Sequence, residues 1–290
     1  MSHTGFDTSW LNLRFQYDNA ARNQKVEQTF LDYFRGKKKI TIVDIGSGTG
    51  ANCLYFFEKL EQDQQWFLIE KDDHLLESTF IRLSAYAESK GYSFQIEKKS
   101  LRINIRSKKI NIHIINDSFF KLSQMVDLIK VDVVMAAAVF DLLSKDQFIT
   151  IADKIFLHKI DLLTTMNYSN MHFLPGRDLD DKFIDLYESH MSRPQQFGKG
   201  MGKSCSFFME TYFSDKKYHF IKGNSSWKID CEAFEMHNFL LGFMGKSIGE
   251  LTKKSADKKL LDQWFSEKKS LSQKQLLSIE VGHLDYFVTI

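Results

Sequence analysis

The sequence has little proline, little cysteine and almost no net charge. Only 2 of its 290 residues are proline, and both, Pro175 and Pro194, fall in one short region. The 3 cysteines, Cys53, Cys205 and Cys231, are too few for a disulfide framework and show no CxxC spacing. We therefore expect a reducing, cytoplasmic setting. The formal net charge is only +2, so we do not expect a nucleic-acid partner.

Long apolar runs and targeting signals are also missing. No run approaches the ~20 residues that a membrane span needs, so we expect no membrane segment. Residues 1–10 lack a basic stretch followed by an apolar one, which indicates no secretory signal. The chain does have 43% hydrophobic and 26% charged residues, as globular proteins do.

Short apolar strands alternate with helical segments over most of the chain. The predicted helices are 8–34, 51–60, 74–89, 145–158, 178–191 and 204–214, with further helical material over 231–279. The predicted strands are 40–43, 66–69, 110–116, 131–137, 161–166 and 284–289, with a strand pair over 218–229. Strict apolar–polar alternation over 93–116 predicts a half-exposed hairpin. This order indicates an α/β protein with a parallel sheet and helices on both faces.

A glycine-rich loop, VDIGSGTG (43–50), follows a predicted strand and opens a predicted helix. Glycines there permit a tight turn and the close approach of a ligand to the backbone. By itself the loop is also compatible with a simple strand–helix turn. It further satisfies the dinucleotide pattern GxGxxA through Gly46, Gly48 and Ala51.

Two acidic residues narrow the choice of ligand. Asp44 lies two residues before Gly46 and would be unfavourable beside an anionic pyrophosphate, so it favours a ligand that carries positive charge. Glu70 ends the second predicted strand, where a carboxylate can accept hydrogen bonds from both hydroxyls of a ribose. The pattern predicts a nucleoside ligand with a cationic group.

Four strand-end segments together resemble a known family. They are VDIGSGTG (43–50), WFLIEKD (66–72), INDSF (115–119) and VDVVMAAAVFDLL (131–143). In order and spacing they resemble the first four motifs of the class I S-adenosylmethionine-dependent methyltransferases, over about residues 40–170. The resemblance implies a Rossmann-like α/β sheet of seven strands, six parallel and the last antiparallel. It also implies that S-adenosyl-L-methionine is the cofactor and that the chain is an enzyme.

The resemblance also assigns cofactor-binding roles by position. In that family the acid before the glycines and the loop backbone hold the amino-acid end, the second-strand acid holds the ribose, and the third-strand acid contacts the adenine. The implied cofactor-binding residues, including neighbours beside the methionyl part, are Asp44, Gly46, Ser47, Gly48, Glu70, Lys71, Asp117, Ser118, Ala136 and Ala137.

The two ends of the chain extend the resemblance. WLNLRFQYDNAAR (10–22) and VGHLDYFV (281–288) are similar to the start and end of a group of bacterial class I methyltransferases. Arg14, Asp18 and Arg22 lie four residues apart, on one helix face. One interpretation is a surface row of ion pairs. The other is that Arg14 binds the cofactor carboxylate, and we include it among the predicted cofactor ligands.

No long polar linker divides the chain, so we predict a single domain over residues 1–290. Its parts are an N-terminal helical segment (1–36), a cofactor-binding core (37–169), a lid-like insert (170–203) and the rest of the core with a helical addition (204–290). The insert contains both prolines and follows the fifth strand. We therefore expect it to cover the substrate.

The substrate side is defined less closely. Methyl transfer is an in-line displacement, which requires alignment and exclusion of water more than any one catalytic group. Residues 135–141 contain no Pro-Pro-aromatic or Pro-Cys motif, which disfavours DNA-type chemistry. The candidate catalytic residues are Tyr168, His172 and His190. The candidate substrate-binding residues are Asp141, Asn167, Tyr168, His172, Arg193 and Trp227. The fifth strand offers no acid, so we expect no metal.

The insert and the additional helices favour a closed pocket for a small molecule. We predict methyl transfer to a small-molecule acceptor, on oxygen rather than nitrogen. Two alternatives stay open. One is an RNA or protein methyltransferase that uses the basic hairpin 98–109. The other is a non-catalytic cofactor-binding module.

Overall fold

The computed structural model describes residues 8–195, 198–252 and 254–290. Its helices are α1 (Thr8–Ala21), α2 (Gln24–Phe34), α3 (Ala51–Phe56), α4 (Asp73–Ser89), α5 (Leu122–Met125), α6 (Lys145–Leu157), α7 (Asp180–Met191), α8 (Cys205–Asp215), α9 (Phe234–Leu251) and α10 (Ser255–Gln273). Its strands are β1 (Lys39–Ile45), β2 (Asp63–Glu70), β3 (Ser93–Glu97), β4 (Ser100–Ile105), β5 (Lys108–Asn116), β6 (Val133–Ala137), β7 (Asp161–Leu174), β8 (Pro194–Gln195), β9 (Gly198–Lys199), β10 (His219–Asn224), β11 (Trp227–Ile229) and β12 (Ser278–Thr289).

One large sheet organises the fold, in the order β10–β12–β7–β6–β1–β2–β5–β4–β3. The five strands from β7 to β5 are parallel, whereas β12 runs antiparallel to both β7 and β10. The seven strands from β10 to β5 therefore match the predicted Rossmann-like sheet, with β12 as the antiparallel strand. The sheet has ten strands because the hairpin adds β3 and β4 at one edge and β11 pairs with the first part of β12.

Helices cover both faces, because side chains of buried strands alternate between the two sides. On one face, α2, α3 and α4 pack on the sheet through residues such as Phe30, Phe56 and Leu83. On the other face, α6 and α8 pack on it through residues such as Phe148 and Phe213. The predicted α/β class is thus confirmed.

The long N-terminal helix predicted over 8–34 is wrong, because it is broken at Arg22 and Asn23. Asn23 is the N-cap of α2, and its side-chain oxygen accepts a hydrogen bond from the Val26 N–H at 3.1 Å. An asparagine side chain that satisfies a helix N-terminus favours a new start over continuation. The break lets α1 and α2 take different directions.

The fifth and last strands are longer than predicted. β7 continues to Leu174 and pairs with the early part of β12, with Leu174 opposite Ser278. The predicted insert 170–203 therefore begins inside a strand. Its residues 170–174 belong to the sheet because the partner strand satisfies their backbone groups.

A third apolar cluster lies on this strand extension. It joins α1, α7, α9 and α10 through residues such as Trp10, Phe183, Leu240 and Trp264. The helix of the predicted insert, α7, packs against α9. Among the described residues, no helix combines the length and apolarity that a membrane crossing requires.

Candidate functional site

The glycine loop connects β1 to α3 in a conformation that requires its glycines. Gly46, Gly48 and Gly50 have φ angles of 61°, 54° and 74°, in the left-handed region. A Cβ atom at Gly46 would lie 3.0 Å from a Val139 methyl carbon, and one at Gly50 would lie 2.8 Å from a Thr79 methyl carbon. The loop is thus confined between its neighbours.

A cavity of about 410 Å³ lies at the carboxyl ends of β1, β2, β5 and β6. Of the predicted cofactor residues, its wall includes Arg14, Asp44, Gly46, Ser47, Gly48, Glu70, Lys71, Asp117, Ser118 and Ala137. Residues from four separate strand ends meet there because parallel strands deliver their carboxyl ends to one edge of the sheet. This cavity is the candidate cofactor site.

Asp44 is the buried acid of the cavity, only 1% exposed. Its Oδ1 accepts a hydrogen bond from Asn52 Nδ2 at 3.0 Å. Among the described residues, neither its Oδ2 nor the hydroxyl of Ser47 has a hydrogen-bond partner. Burial raises the pKa of Asp44 to about 7, opposed by Asn52 and Arg22 and reinforced by the charge of Glu70. Buried polar atoms are normally satisfied, so these two indicate a ligand position.

Glu70 ends β2 with a carboxylate that backbone groups hold in place. Its Oε2 accepts from the Gly48 N–H at 3.1 Å, and its Oε1 accepts from the N–H groups of Lys71 and Asp72 at 2.8 and 3.1 Å. A carboxylate has roughly four acceptor positions, so one remains for a ligand hydroxyl. The sequence predicts that Glu70 accepts hydrogen bonds from both ribose hydroxyls. The second of these bonds would have to share an acceptor position with one of the backbone N–H groups or displace it.

Asp117 follows β5 and has partners of its own. It accepts hydrogen bonds from the Ser118 N–H at 2.7 Å and from Lys121 Nζ at 2.9 Å. The bond from Lys121 holds the pKa of Asp117 below its ordinary value. The side chain is thus ionised at neutral pH, and it lines the cavity beside β5, two strands away from β1 and Asp44.

Arg14 both forms an ion pair and lines the cavity, so each of the two interpretations made from the sequence describes part of its surroundings. Its Nε and Nη2 bind the two oxygens of Asp18 at 3.0 and 3.1 Å, so the ion pair exists. The pair is not on the open surface, because each side chain is only 14% exposed and both line the cavity. Trp227 lies under the guanidinium at 4.9 Å and donates its indole N–H to Asp18 at 3.0 Å. The predicted substrate residue Trp227 therefore supports Arg14.

Ala136, unlike its predicted neighbour Ala137, is not part of the cavity wall. Its side chain is fully buried in an apolar cluster, whereas Ala137 and Ala138 form part of the wall. Alternation along the strand directs neighbouring side chains to opposite faces. Ala138, with a φ of 54°, has already left the strand.

Two predicted substrate residues on β7 also lie outside the cavity wall. Asn167 is fully buried in the sheet, where it donates to the Leu284 carbonyl at 2.9 Å and accepts from the Thr164 hydroxyl at 3.0 Å. His172 is exposed on the strand extension, opposite Glu280 of β12. The strand predicted over 161–166 ends before His172, whereas β7 includes it.

The insert does not supply the cavity wall either. His190 faces Glu250 of α9, with its Nε2 2.9 Å from the carboxylate. Arg193 is exposed and borders a separate groove with Lys203 and Glu188. None of the described residues of 170–203 lines the cofactor cavity. Helix α1 contributes to this wall instead, and the expectation that the insert covers the substrate stays a prediction.

Tyr168 is buried, and Asp141 lies near enough to Arg14 for the charge of Arg14 to act on it. The Tyr168 hydroxyl donates to Glu188 at 2.8 Å, and burial raises the pKa of that phenol, which makes it a poor base. Asp141 sits in the turn between Val139 and Leu142, both of which line the cavity. Its Oδ1 has no partner among the described residues, and burial raises its pKa to about 6.

Some wall residues were not predicted. They include Leu11 and Asp18 on α1, Asn52 on α3, and Val139 and Leu142 after β6. Asn52 had a recognisable signal, since it is the one amide in the otherwise apolar segment ANCLYFF after the glycines. The apolar wall residues had none, because any core leucine or valine has the same pattern.

The basic hairpin contributes to the fold at the opposite end of β5. Lys108 Nζ donates to the carbonyls of Phe57, Glu58 and Leu60 at 2.9, 2.8 and 2.6 Å, so it satisfies a helix end. Over 8–195, 198–252 and 254–290, no group of three or more His, Cys, Asp or Glu side chains is arranged to hold a metal ion.

No protein-family model and no curated protein sequence matches the chain. Solved structures do match it. A cyclopropane-fatty-acyl-phospholipid synthase-like protein from Lactobacillus casei aligns with a TM-score of 0.53 and 11% identity, over 96% of this chain and 99% of that one. The YcgJ protein from Bacillus subtilis aligns with a TM-score of 0.49 and 11% identity, over 92% and 98%. The first likeness and the strand order show that the chain has the class I S-adenosylmethionine-dependent methyltransferase fold.

Proposed function

We propose that this chain is an S-adenosyl-L-methionine-dependent methyltransferase that acts on a small-molecule acceptor, on oxygen. The observation that carries the proposal is the buried Asp44 carboxylate, whose Oδ2 has no partner among the described residues. A buried carboxylate in that state is stabilised by a cationic ligand group, and the amino group of S-adenosylmethionine is one. The fold supports the same conclusion.

The cavity residues fit the different parts of this cofactor. Asp44 and the Ser47 hydroxyl would hold the ammonium end, and Arg14 would face the carboxylate. The remaining acceptor position of Glu70 suits a ribose hydroxyl, and Asp117 lies where the adenine would be held. When bound, the cofactor supplies an electrophilic methyl group on its sulfonium sulphur.

The chain itself would then orient the reactants and exclude water. Helix α1 contributes Leu11, Arg14 and Asp18 to the wall, so it shields the cavity from solvent. Asp141 is our candidate for the group that accepts the proton of an acceptor hydroxyl. Its Oδ1 is unpartnered among the described residues, and its pKa of about 6 is near the range in which a base works at neutral pH.

Two coarser features belong to the same proposal. We place the protein in the cytoplasm, since its three cysteines are free and two of them are buried. We also treat residues 1–290 as one domain, because β7 and β12 run from the main sheet into the third apolar cluster.

Calorimetric titration with S-adenosylhomocysteine tests the proposal. 5′-Methylthioadenosine serves as a second ligand, because it keeps the nucleoside and lacks the amino-acid end. We expect the wild-type protein to bind S-adenosylhomocysteine more tightly than 5′-methylthioadenosine.

Variants of the two acids then locate the ends of the ligand. Asp44→Asn should weaken the binding of S-adenosylhomocysteine about 10-fold or more, because a hydrogen bond to a charged group is lost. It should not change the binding of 5′-methylthioadenosine. Glu70→Gln should weaken the binding of both ligands, because both contain the ribose. Asp32→Asn, at an exposed acid of α2, is the matched control and should change neither. A folded wild-type protein that binds neither ligand would contradict the proposal.

A further inference from the structure

Arg22 is a buried arginine that lies outside the cavity wall. It is only 6% exposed and occupies the break between α1 and α2. Its Nη2 donates to Asn52 Oδ1 at 2.6 Å, and its Nη1 donates to Thr165 Oγ1 at 3.3 Å. The guanidinium lies 4.3 Å from the centre of the Tyr55 ring. It thus reaches from the helix break to a residue of the cofactor site.

The break that carries Arg22 is fixed to the sheet. The Asn23 N–H donates to Asp285 Oδ2 at 3.0 Å, and Asn23 Nδ2 donates to the Asn224 carbonyl at 3.0 Å. Asn23 also approaches Gly223 so closely that a Cβ there would lie 2.1 Å from its side chain. Arg22 therefore has a defined position relative to β10 and β12.

The bond from Arg22 decides which way the Asn52 amide points. Asn52 has one acceptor end and one donor end. With its oxygen on Arg22, its Nδ2 faces Asp44 Oδ1 at 3.0 Å. A rotated amide would place its NH2 group against the guanidinium and its oxygen against the carboxylate. Donor would then face donor, and acceptor would face acceptor. Arg22 excludes that orientation.

Arg22 is not explained by stability alone. Among the described residues its Nε has no hydrogen-bond partner. A buried charge with incomplete partners is costly to the folded state. A positioning role in the cofactor site would explain why an arginine lies at this buried position.

We propose that Arg22 is a positioning residue of the cofactor site, which acts through Asn52. By holding the Asn52 amide on Asp44 Oδ1, it leaves Asp44 Oδ2 as the acceptor for a cationic ligand group. The inference rests on the proposed function, in which Asp44 binds the amino group of the cofactor. It adds a residue of the helix break that itself does not line the cavity.

The same contacts control the ionisation of Asp44. The charged groups that shift the pKa of Asp44 are Arg22 and Glu70, and Asp44 in turn raises the pKa of the buried thiol of Cys53. Arg22 and the hydrogen bond from Asn52 lower the pKa of Asp44, whereas burial and Glu70 raise it. Removal of Arg22 should therefore leave more of Asp44 protonated at neutral pH.

Titration of S-adenosylhomocysteine into Arg22→Met, Asn52→Leu and the double variant tests this inference. Arg35→Met, at an exposed arginine that follows α2, is the matched control. We expect Arg22→Met to weaken binding about 10-fold at pH 6.5, because less of Asp44 is then ionised and the Asn52 amide is no longer held in place. The ratio of variant to wild-type dissociation constants, in which ionisation of the ligand cancels, should fall towards about twofold by pH 8.5 as Asp44 ionises. The double variant should bind no more weakly than Asn52→Leu.

Three results would overturn the inference. They are wild-type affinity in Arg22→Met, a pH-independent weakening, and multiplicative losses in the double variant. If Arg22→Met does not fold, Arg22→Lys keeps the charge but cannot bond Asn52 and Thr165 together. It should then show a smaller weakening with the same pH trend, and wild-type affinity in it overturns the inference equally. Failure of the wild-type protein to bind would instead contradict the proposed function.

Discussion

The cost of burying Asp44 without its ligand should be visible in the stability of the free protein. Burial raises its pKa from the ordinary value of 3.8 to about 7. Because the folded state then binds this proton more tightly than the unfolded state, the folded state loses stability as the pH rises from about 4 to about 7. Each pKa unit corresponds to about 1.36 kcal/mol, so the carboxylate destabilises the free protein by about 4 kcal/mol at pH 8.

The Asp44→Asn variant removes this titration and keeps the shape of the side chain. Between pH 5 and pH 8 the wild-type protein should lose about 2.5 kcal/mol of unfolding free energy through this group, and the variant should not. The new amide leaves a buried donor without a partner, which costs about 1–3 kcal/mol at every pH and does not alter the difference. Relative to wild type, the variant should therefore become more stable at pH 8 than at pH 5.

Urea denaturation at the two pH values measures this difference, with no ligand present. Asp32→Asn serves as the matched control, because the Asp32 side chain is 47% exposed. Titration of all other groups is common to the three proteins and cancels in the comparison. Equal pH dependence in wild type and Asp44→Asn would refute the reasoning, since Asp44 would then have no raised pKa in the folded state.

Other predictions concern the packing that supports the site. Lys268 is fully buried and binds the Asp180 carboxylate at 2.6 Å, so Lys268→Met should cost about 3–5 kcal/mol, or roughly 5–8 °C in a thermal unfolding scan. Lys182→Met breaks an exposed pair between the same two helices, α7 and α10, and should cost less than about 1 kcal/mol; similar losses in both would contradict the role of burial. Gly50→Ala combines a φ of 74° with a contact of 2.8 Å to a threonine methyl of α4, and should lower the unfolding free energy by about 2 kcal/mol. Gly249→Ala, at an open position of α9, should instead raise the unfolding free energy by about 0.5–1 kcal/mol. If Gly249→Ala also lowered the unfolding free energy, the effect of Gly50→Ala could not be assigned to strain in the glycine loop.

Much of the cofactor site could be predicted from local patterns. The segment 43–50, Glu70 and Asp117 are strand-end residues, and their strands have strong apolar signatures. Turns and strands are determined largely by residues close together in the chain, so both can be predicted directly from the sequence. Once parallel strands are inferred, their carboxyl ends must meet at one edge.

The substrate side could not be predicted in the same way. His172 lies on a strand rather than in the predicted insert, because β12 extends β7 by pairing with it, a contact between residues more than a hundred positions apart. Ala136 and Ala137 have identical side chains, so the sequence cannot distinguish them. Only the tertiary structure shows that Ala136 is in an apolar cluster and that Ala137 lines the cavity. The Asn167 amide forms hydrogen bonds within the sheet, to Thr164 and to the Leu284 carbonyl.

The sequence by itself determined the α/β class, the glycine loop and the acids at the strand ends, because each follows from spacing along the chain. Only the tertiary structure decided that Leu11 and Asp18 join Arg14 of α1 in the cavity wall, and that no described residue of 170–203 does. It also decided that Arg22 reaches Asp44 through Asn52. Those contacts depend on a helix break anchored to distant strands, and the free energy that selects them comes from long-range packing that no local pattern encodes.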